Sequence, residues 1–230
     1  MKALWSSLTN GYLRIISPIA DLLVRWNVSP NTLTTVGTLC TLGGAVAYGM
    51  GHIKTGGWII GITAIFDVLD GTVARKSGKS TVFGAFYDST LDRVADGGVL
   101  LGLAYFFATS PVYQSLEMVV VCFLCLIGTY LISYTRARAE ALGIDAKVGI
   151  MQRPERLVLL CAPQAFFGVA LGGLVLKGIV ILLTATAWWT AIHRILFVRK
   201  VTLHPVGSPL RVVTDIPKPS PIAASRRAQS

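Results

Sequence analysis

The chain has 230 residues, 53% of them hydrophobic and 14% charged, a mean hydropathy of +0.64, and 21 lysines and arginines against 11 aspartates and glutamates, for a formal net charge of +10. A soluble domain carries roughly one quarter charged residues and a disordered chain much less apolar surface, so neither class fits most of the sequence. A soluble nucleic-acid binder of this pI needs a charged exterior that the composition cannot supply, which leaves one all-α integral membrane domain with a tail.

Taken in chain order, the segment before Asn31 comes first. Tyr12, Ile15, Ile16, Ile19, Leu22 and Leu23 recur at helical spacing, interrupted by Arg14, Asp21 and Arg25. That pattern predicts an amphipathic helix lying at the membrane surface. Pro18 and Asp21 break its apolar run and no small-residue cleavage pattern follows, which argues against a cleaved signal peptide. Four apolar segments of spanning length come next: Leu33 to Met50, behind the turn and cap residues Ser29-Pro30-Asn31, then Gly57 to Ala74, Phe83 to Ala108 and Val119 to Tyr134. The stretch from Leu157 to Ile192 is too long for one span, and Gly172, Gly173, Lys177 and Gly178 predict a turn that divides it into spans five and six.

Six spans put both termini on one side of the membrane. In that arrangement 19 of the 21 basic residues fall on the side of the termini, and only Lys54 and Lys177 on the other. The positive-inside rule then places the termini in the cytoplasm and the protein in the cell membrane. Beyond Val201 lie five of the ten prolines, several serines, and Arg211, Lys218, Arg226 and Arg227. The expected organisation is a membrane domain over residues 1–200 and a disordered, basic cytoplasmic tail over 201–230. Cys40, Cys122, Cys125 and Cys161 all sit in apolar stretches and read as small membrane-helix residues, not as a disulfide framework or a zinc site.

Charged residues inside membrane spans are functional candidates by default. Five of the 11 acids fall between Asp67 and Asp96. On one predicted helix Asp67 and Asp70 (i, i+3) share a face with Gly71, Ala74 and the edge of Arg75; on the next, Asp88 and Asp92 (i, i+4) share a face with Gly84. A short basic turn, Lys76 to Lys79, joins the two helices. Four carboxylates brought together there need a counter-charge. Hard divalent cations that take oxygen ligands, Mg²⁺ or Mn²⁺, are the natural choice, and they recruit phosphate oxygens as further ligands. Gly71, Ala74 and Gly84 leave room for a ligand, and Arg75 can grip phosphate with two parallel hydrogen bonds. The blander reading makes the acids ion-pair partners within the bundle and the small residues packing points.

The spacing Asp67-x2-Asp70-Gly71-x2-Ala74-Arg75-x8-Gly84-x3-Asp88-x3-Asp92 matches in full the signature of the CDP-alcohol phosphatidyltransferase family. The resemblance runs from Ser29-Pro30-Asn31-x2-Thr34 to about Ile195 and leaves out the tail. It implies six transmembrane helices, an N-terminal amphipathic helix, a homodimer and a divalent metal, two ions per site. It implies a CDP-linked lipid, CDP-diacylglycerol, as donor, with its diphosphate on the metal. By similarity Asp67, Asp70 and Asp88 are metal ligands, and Asp92 is the general base and touches a second metal. Asn31, Thr34, Gly71, Ala74, Arg75, Thr81 and Gly84 match positions that bind the CDP-lipid. Asp96 lies outside the signature; a supporting role behind the metal site and a pairing with Arg93 are both open.

The signature says nothing of the acceptor alcohol. Ser133 to Glu140, Gln152 to Arg156 and Arg194 form a basic set that positive-inside bias alone could explain, but that collectively suits a phosphorylated acceptor. Arg136, Arg153 and Arg194 are the preferred phosphate contacts. The stretch from Ser133 to Arg156 is similar to the subgroup of phosphatidylinositol phosphate and archaetidylinositol phosphate synthases, which implies inositol 1-phosphate as acceptor, with glycerol 3-phosphate as the alternative. Expected partners are therefore the donor, a phosphorylated polyol, membrane lipids and a second copy of the chain, with no nucleic acid. Two other classes compete. A membrane prenyltransferase also uses Asp-rich motifs and metal but lacks the Gly71, Ala74, Arg75 and Gly84 spacing; a cation transporter would distribute its acids through the bilayer depth.

Overall fold

Long apolar segments joined by short turns can satisfy their backbone and bury their faces only by packing on one another as antiparallel helices. The structure is a computed structural model and describes residues 17–151 and 153–203. Residues 12–16 of the expected N-terminal helix, the tail from 204 onward and the side chain of Arg153 lie outside the described residues.

Helix α1 covers 17–25 among the described residues. It is followed by α2 (Pro30–Gly49), α3 (Ile53–Lys76), α4 (Val82–Thr109), α5 (Leu116–Ala141), α6 (Arg153–Phe167), a 3₁₀ turn (Leu171–Gly173) and α7 (Leu174–Leu203). Three helical stretches, Ile53–Lys76, Leu116–Ala141 and Leu171–Leu203, are long and apolar enough to cross a membrane. The others fall short for local reasons. Threonine and glycine dilute α2, Asp88, Asp92, Arg93 and Asp96 interrupt α4, and α6 has 15 residues with Pro163 inside. Together with the outward-facing Ile62, Leu101, Phe123, Leu182 and Trp189, these helices make an integral membrane protein.

One boundary differs from expectation, and one helix runs on past its apolar segment. Helix α5 continues past Tyr134 to Ala141, because Arg136, Arg138 and Glu140 extend it with helix-forming side chains, and Arg136 pairs with Glu140 one turn on at 2.9 Å. It stops at Gly143, whose positive φ caps the helix. The division between the last two helices falls at Gly168 to Gly173, not at Gly172 to Gly178. Gly168, Gly172 and Gly173 take positive φ, whereas Lys177 and Gly178 continue α7 as ordinary helix.

Each of the six long helices packs on two others, in the closed cycle α2–α3–α6–α7–α5–α4. The interior holds Tyr48, Ile60, Leu103, Phe107, Leu176 and Leu183, all nearly inaccessible. Polar ties cross the apolar contacts. The Tyr48 hydroxyl donates to the Leu160 carbonyl at 2.7 Å, Thr41 and Thr63 share a hydrogen bond at 3.0 Å, and the Trp188 indole donates to the Leu124 carbonyl at 3.0 Å. The four cysteines are free thiols. Helix α1 packs Ala20, Leu23 and Val24 against Leu33, Leu69 and Val73, and Lys76 at the end of α3 reaches back to Asp21 at 2.7 Å and the Ser17 hydroxyl at 2.6 Å.

Close backbone approach depends on particular glycines. A Cβ at Gly102 would overlap the Ala45 carbonyl where α4 crosses α2, while one at Gly43 meets nothing within 4 Å. Gly102→Ala should therefore destabilise the bundle by roughly 1–3 kcal/mol, and Gly43→Ala should not. Thermal unfolding of the two variants side by side in one detergent checks this; equal melting temperatures would contradict the packing described.

Candidate active site

The site is built where the N-terminal ends of α2 and α4 meet the C-terminal end of α3. Ser29-Pro30 begins α2 with proline in its first turn, and Thr81 caps α4 by accepting a hydrogen bond from the Gly84 amide at 2.9 Å. Two helix N-termini and the basic end of α3 thus face one cavity, a setting that favours anions. The cavity has a volume of about 200 Å³. Nine of the residues expected to bind metal or CDP-lipid line it: Asn31 and Thr34 from α2, Asp70, Gly71, Ala74 and Arg75 from α3, and Thr81, Gly84 and Asp88 at the start of α4. Lys79 and Ser80, in the turn between α3 and α4, also line it and belong to no motif.

Asp70 is buried, 7% exposed, and its Oδ2 accepts from the Thr34 hydroxyl at 2.7 Å. The charges of Asp67 and Asp88 both bear on it. Small residues keep the walls close. A Cβ on Gly84 would stand 3.4 Å from the Asn31 amide oxygen, and one on Gly37 would press on Phe66 beside Asp67. Gly71, by contrast, has only the Arg75 guanidinium beside it, so its face of α3 is open to the cavity.

The other two signature acids lie behind this cavity. Asp67 and Asp92 line a small internal space of about 10 Å³ with Thr38, Thr41 and Leu157. The structure thus brings the four carboxylates to facing helices but divides them between two spaces, and among the described residues no three acidic, histidine or cysteine side chains come together tightly enough to hold an ion. Their chemistry is nonetheless that of a hard-cation site: all-oxygen donors, with the Thr34 hydroxyl on Asp70 and no soft ligand lining either space.

A second cavity, of about 410 Å³, opens beside Asp92. Its charged lining is entirely basic: Arg93, Arg136, Lys147, Arg156 and Arg194. Two of the three expected acceptor contacts, Arg136 and Arg194, are there. Arg194 is 5% exposed, and its guanidinium donates to the backbone carbonyls of Ile132 and Val148, tying α7 to α5 and to the loop before α6. Much of its hydrogen-bonding capacity therefore holds the wall of the cavity in place. Arg93 links the two sites. It lies 3.7 Å from the Asp92 carboxylate and donates to the Ser133 hydroxyl at 2.9 Å. Of the two pairings open to Arg93, the one with Asp92 is thus present. Lys147 could not be found from the sequence, because it lies in an irregular loop whose path depends on the Arg194 clamp.

The family model for CDP-alcohol phosphatidyltransferases matches residues 27–199. The phosphatidylinositol phosphate synthase of Mycobacteroides abscessus is 40% identical over 158 residues, covering 68% of this chain and 71% of that protein. That of Streptomyces avermitilis is 37% identical over 183 residues, 79% and 73% of the two chains. The crystal structure of Mycobacterium tuberculosis phosphatidylinositol phosphate synthase with CDP-DAG bound superposes with a TM-score of 0.74 at 34% identity, over 80% of this chain and 94% of that one. The same enzyme in complex with manganese and citrate gives a TM-score of 0.74 at 32% identity, over 80% and 88%. The matched span contains both cavities and every signature acid, and the chain belongs to the CDP-alcohol phosphatidyltransferase family.

Proposed function

We propose that this protein is a phosphatidylinositol phosphate synthase, transferring the phosphatidyl group of CDP-diacylglycerol to inositol 1-phosphate and releasing CMP. One observation carries the reading. The wholly basic cavity opens at Arg93, whose neighbour Asp92 is the signature acid one helical turn beyond Asp88 of the first cavity, so a lipid diphosphate held by the signature acids has its reacting end beside an anionic acceptor in the second. The relatives named above support the choice of inositol phosphate over glycerol phosphate.

In this reading the nucleotide end of the donor enters along the open face of Gly71, Ala74 and Gly84, with Asn31, Thr34 and Thr81 offering hydrogen bonds. Arg75 and Lys79 at the mouth attract the diphosphate. Asp67, Asp70, Asp88 and Asp92 would hold two divalent ions, Mg²⁺ or Mn²⁺, which when bound neutralise the diphosphate and the departing CMP. Asp92 accepts the proton of the acceptor hydroxyl. The hydroxyl oxygen bonds to the lipid-side phosphorus, the bond from that phosphorus to the bridging oxygen breaks, and CMP leaves with the bridging oxygen. Arg136 and Lys147, with Arg153 at the start of α6, bind the acceptor phosphate, and Arg194 both keeps the wall in place and adds its charge.

The six long helices serve as six spans, with the basic end, both termini and both cavities toward the cytoplasm. There the charged acceptor and CMP are soluble. The N-terminal helix lies on the membrane surface, and the enzyme works as a homodimer.

Purified protein supplied with CDP-diacylglycerol and, separately, inositol 1-phosphate, glycerol 3-phosphate, serine or inositol should form phosphatidylinositol phosphate, identified by mass. Phosphatidylglycerophosphate would assign the glycerol alternative, and phosphatidylserine would refute a phosphate-binding acceptor site. Asp92→Asn should bind CDP-diacylglycerol yet lose turnover by about 10²-fold or more, read as CMP release; near-wild-type turnover would remove Asp92 as the base. Chelation with EDTA should abolish CMP release, and added Mg²⁺ or Mn²⁺ should restore it.

A further inference from the structure

Asp96 has no place in the signature, yet it sits one helical turn beyond Asp92, in the part of α4 that turns apolar. An acid there is tolerated only if something in the bundle answers its charge. Asp96 lines a space of about 20 Å³ with Cys125 and Thr129 of α5, Leu183 of α7, and Arg156 and Leu160 of α6. In that lining Asp96 is the one acid and Arg156 the one base; every other residue is uncharged. The charges of both reach the Cys125 thiol between them. Helices α4 and α6 are not neighbours in the packing cycle, so the two residues face each other across the interior of the bundle.

Arg156 is 8% exposed, and it lines the basic cavity as well. It is therefore the shared wall between the acceptor cavity and the apolar interior. The other cations of that cavity have identified neighbours. Arg136 pairs with Glu140 at 2.9 Å, Lys147 with Asp145 at 3.4 Å and Arg93 with Asp92 at 3.7 Å, while Arg194 donates to backbone carbonyls. The Tyr130 hydroxyl, on the same side of α4, is committed to the Arg93 carbonyl at 2.9 Å.

We infer that Asp96 is a positioning residue for the acceptor site: its carboxylate holds the Arg156 guanidinium at the floor of the basic cavity, where the cation is presented to the acceptor phosphate. The inference rests on reading that cavity as the acceptor site. Asp96 touches neither substrate; it acts on the affinity for one of them through Arg156.

The test is steady-state kinetics of the full-length protein with CDP-diacylglycerol and inositol 1-phosphate, comparing Asp96→Asn, Asp96→Glu, Arg156→Gln and the double variant D96N/R156Q. Asp96→Asn and Arg156→Gln should each raise KM for inositol 1-phosphate on the order of tenfold, leaving kcat and KM for CDP-diacylglycerol within about twofold. Asp96→Glu should recover part of the loss. The double variant should be no worse than Arg156→Gln alone, because the two residues act as one unit. Wild-type acceptor KM in Asp96→Asn, equal effects on both substrates, or effects that multiply in the double variant would overturn the inference. An unchanged acceptor KM in Arg156→Gln would instead overturn the reading of the cavity. If Asp96→Asn does not fold, the double variant should restore folding by removing the stranded cation, and failure to do so also overturns the proposal.

Discussion

A carboxylate placed at the centre of an apolar bundle costs about 2.5–3.5 kcal/mol on insertion scales, and this chain places five acids within 30 residues of two consecutive helices. The architecture is organised around that constraint. The signature acids occupy the end of α3 and the beginning of α4, at the basic end of the bundle, where two helix N-termini and the Lys76 to Lys79 turn surround them with positive potential. The rest of each helix is free to be apolar. Gly37 follows from the same constraint, since helices carrying acids toward one another need room between their backbones, and a side chain there would press on Phe66.

The remaining cations are arranged as a second consequence. Arg93, Arg136, Lys147, Arg156 and Arg194 converge from α4, α5, α7 and the loop and helix after α5, and no acid shares their cavity. Such a concentration of like charge repels itself, and carboxylates outside the lining and backbone carbonyls within it offset the charge. Glu140 and Asp145 serve Arg136 and Lys147, the carbonyls of Ile132 and Val148 serve Arg194, and Asp92 serves Arg93. The charged lining thus stays wholly basic, with the carboxylates outside it. That separation lets a cavity be strongly basic without being unstable, and it puts Asp92, the reacting carboxylate of the proposed mechanism, beside the basic lining.

The local part of this design can be read in the chain. Acids at i, i+3 and i, i+4 must share helix faces whatever the tertiary arrangement, so Asp67 with Asp70 and Asp88 with Asp92 were legible, as were the small residues beside them and the helix starts at Pro30 and after Thr81. The break between the last two helices lies several residues from the place that glycine content predicts, because glycine content alone does not distinguish Gly178, which continues α7, from Gly168, Gly172 and Gly173, which turn the chain. Helix α5 outlasts its apolar segment because hydropathy ends at Tyr134 while helix propensity does not.

Long-range pairings were not legible. Nothing local ties Arg194 to carbonyls 62 and 46 residues away, Lys147 to the basic cavity, or Asp96 and Arg156 to one space between non-neighbouring helices. The sequence by itself determined the membrane character, the helices and the faces on which the signature acids lie, because hydropathy and helical period are properties of neighbours in the chain. Only the tertiary structure decided how those acids divide between two spaces, which arginines line one cavity and which of them brace its wall. Those outcomes depend on the order in which helices close into a cycle, and on where buried charges find partners once it has closed.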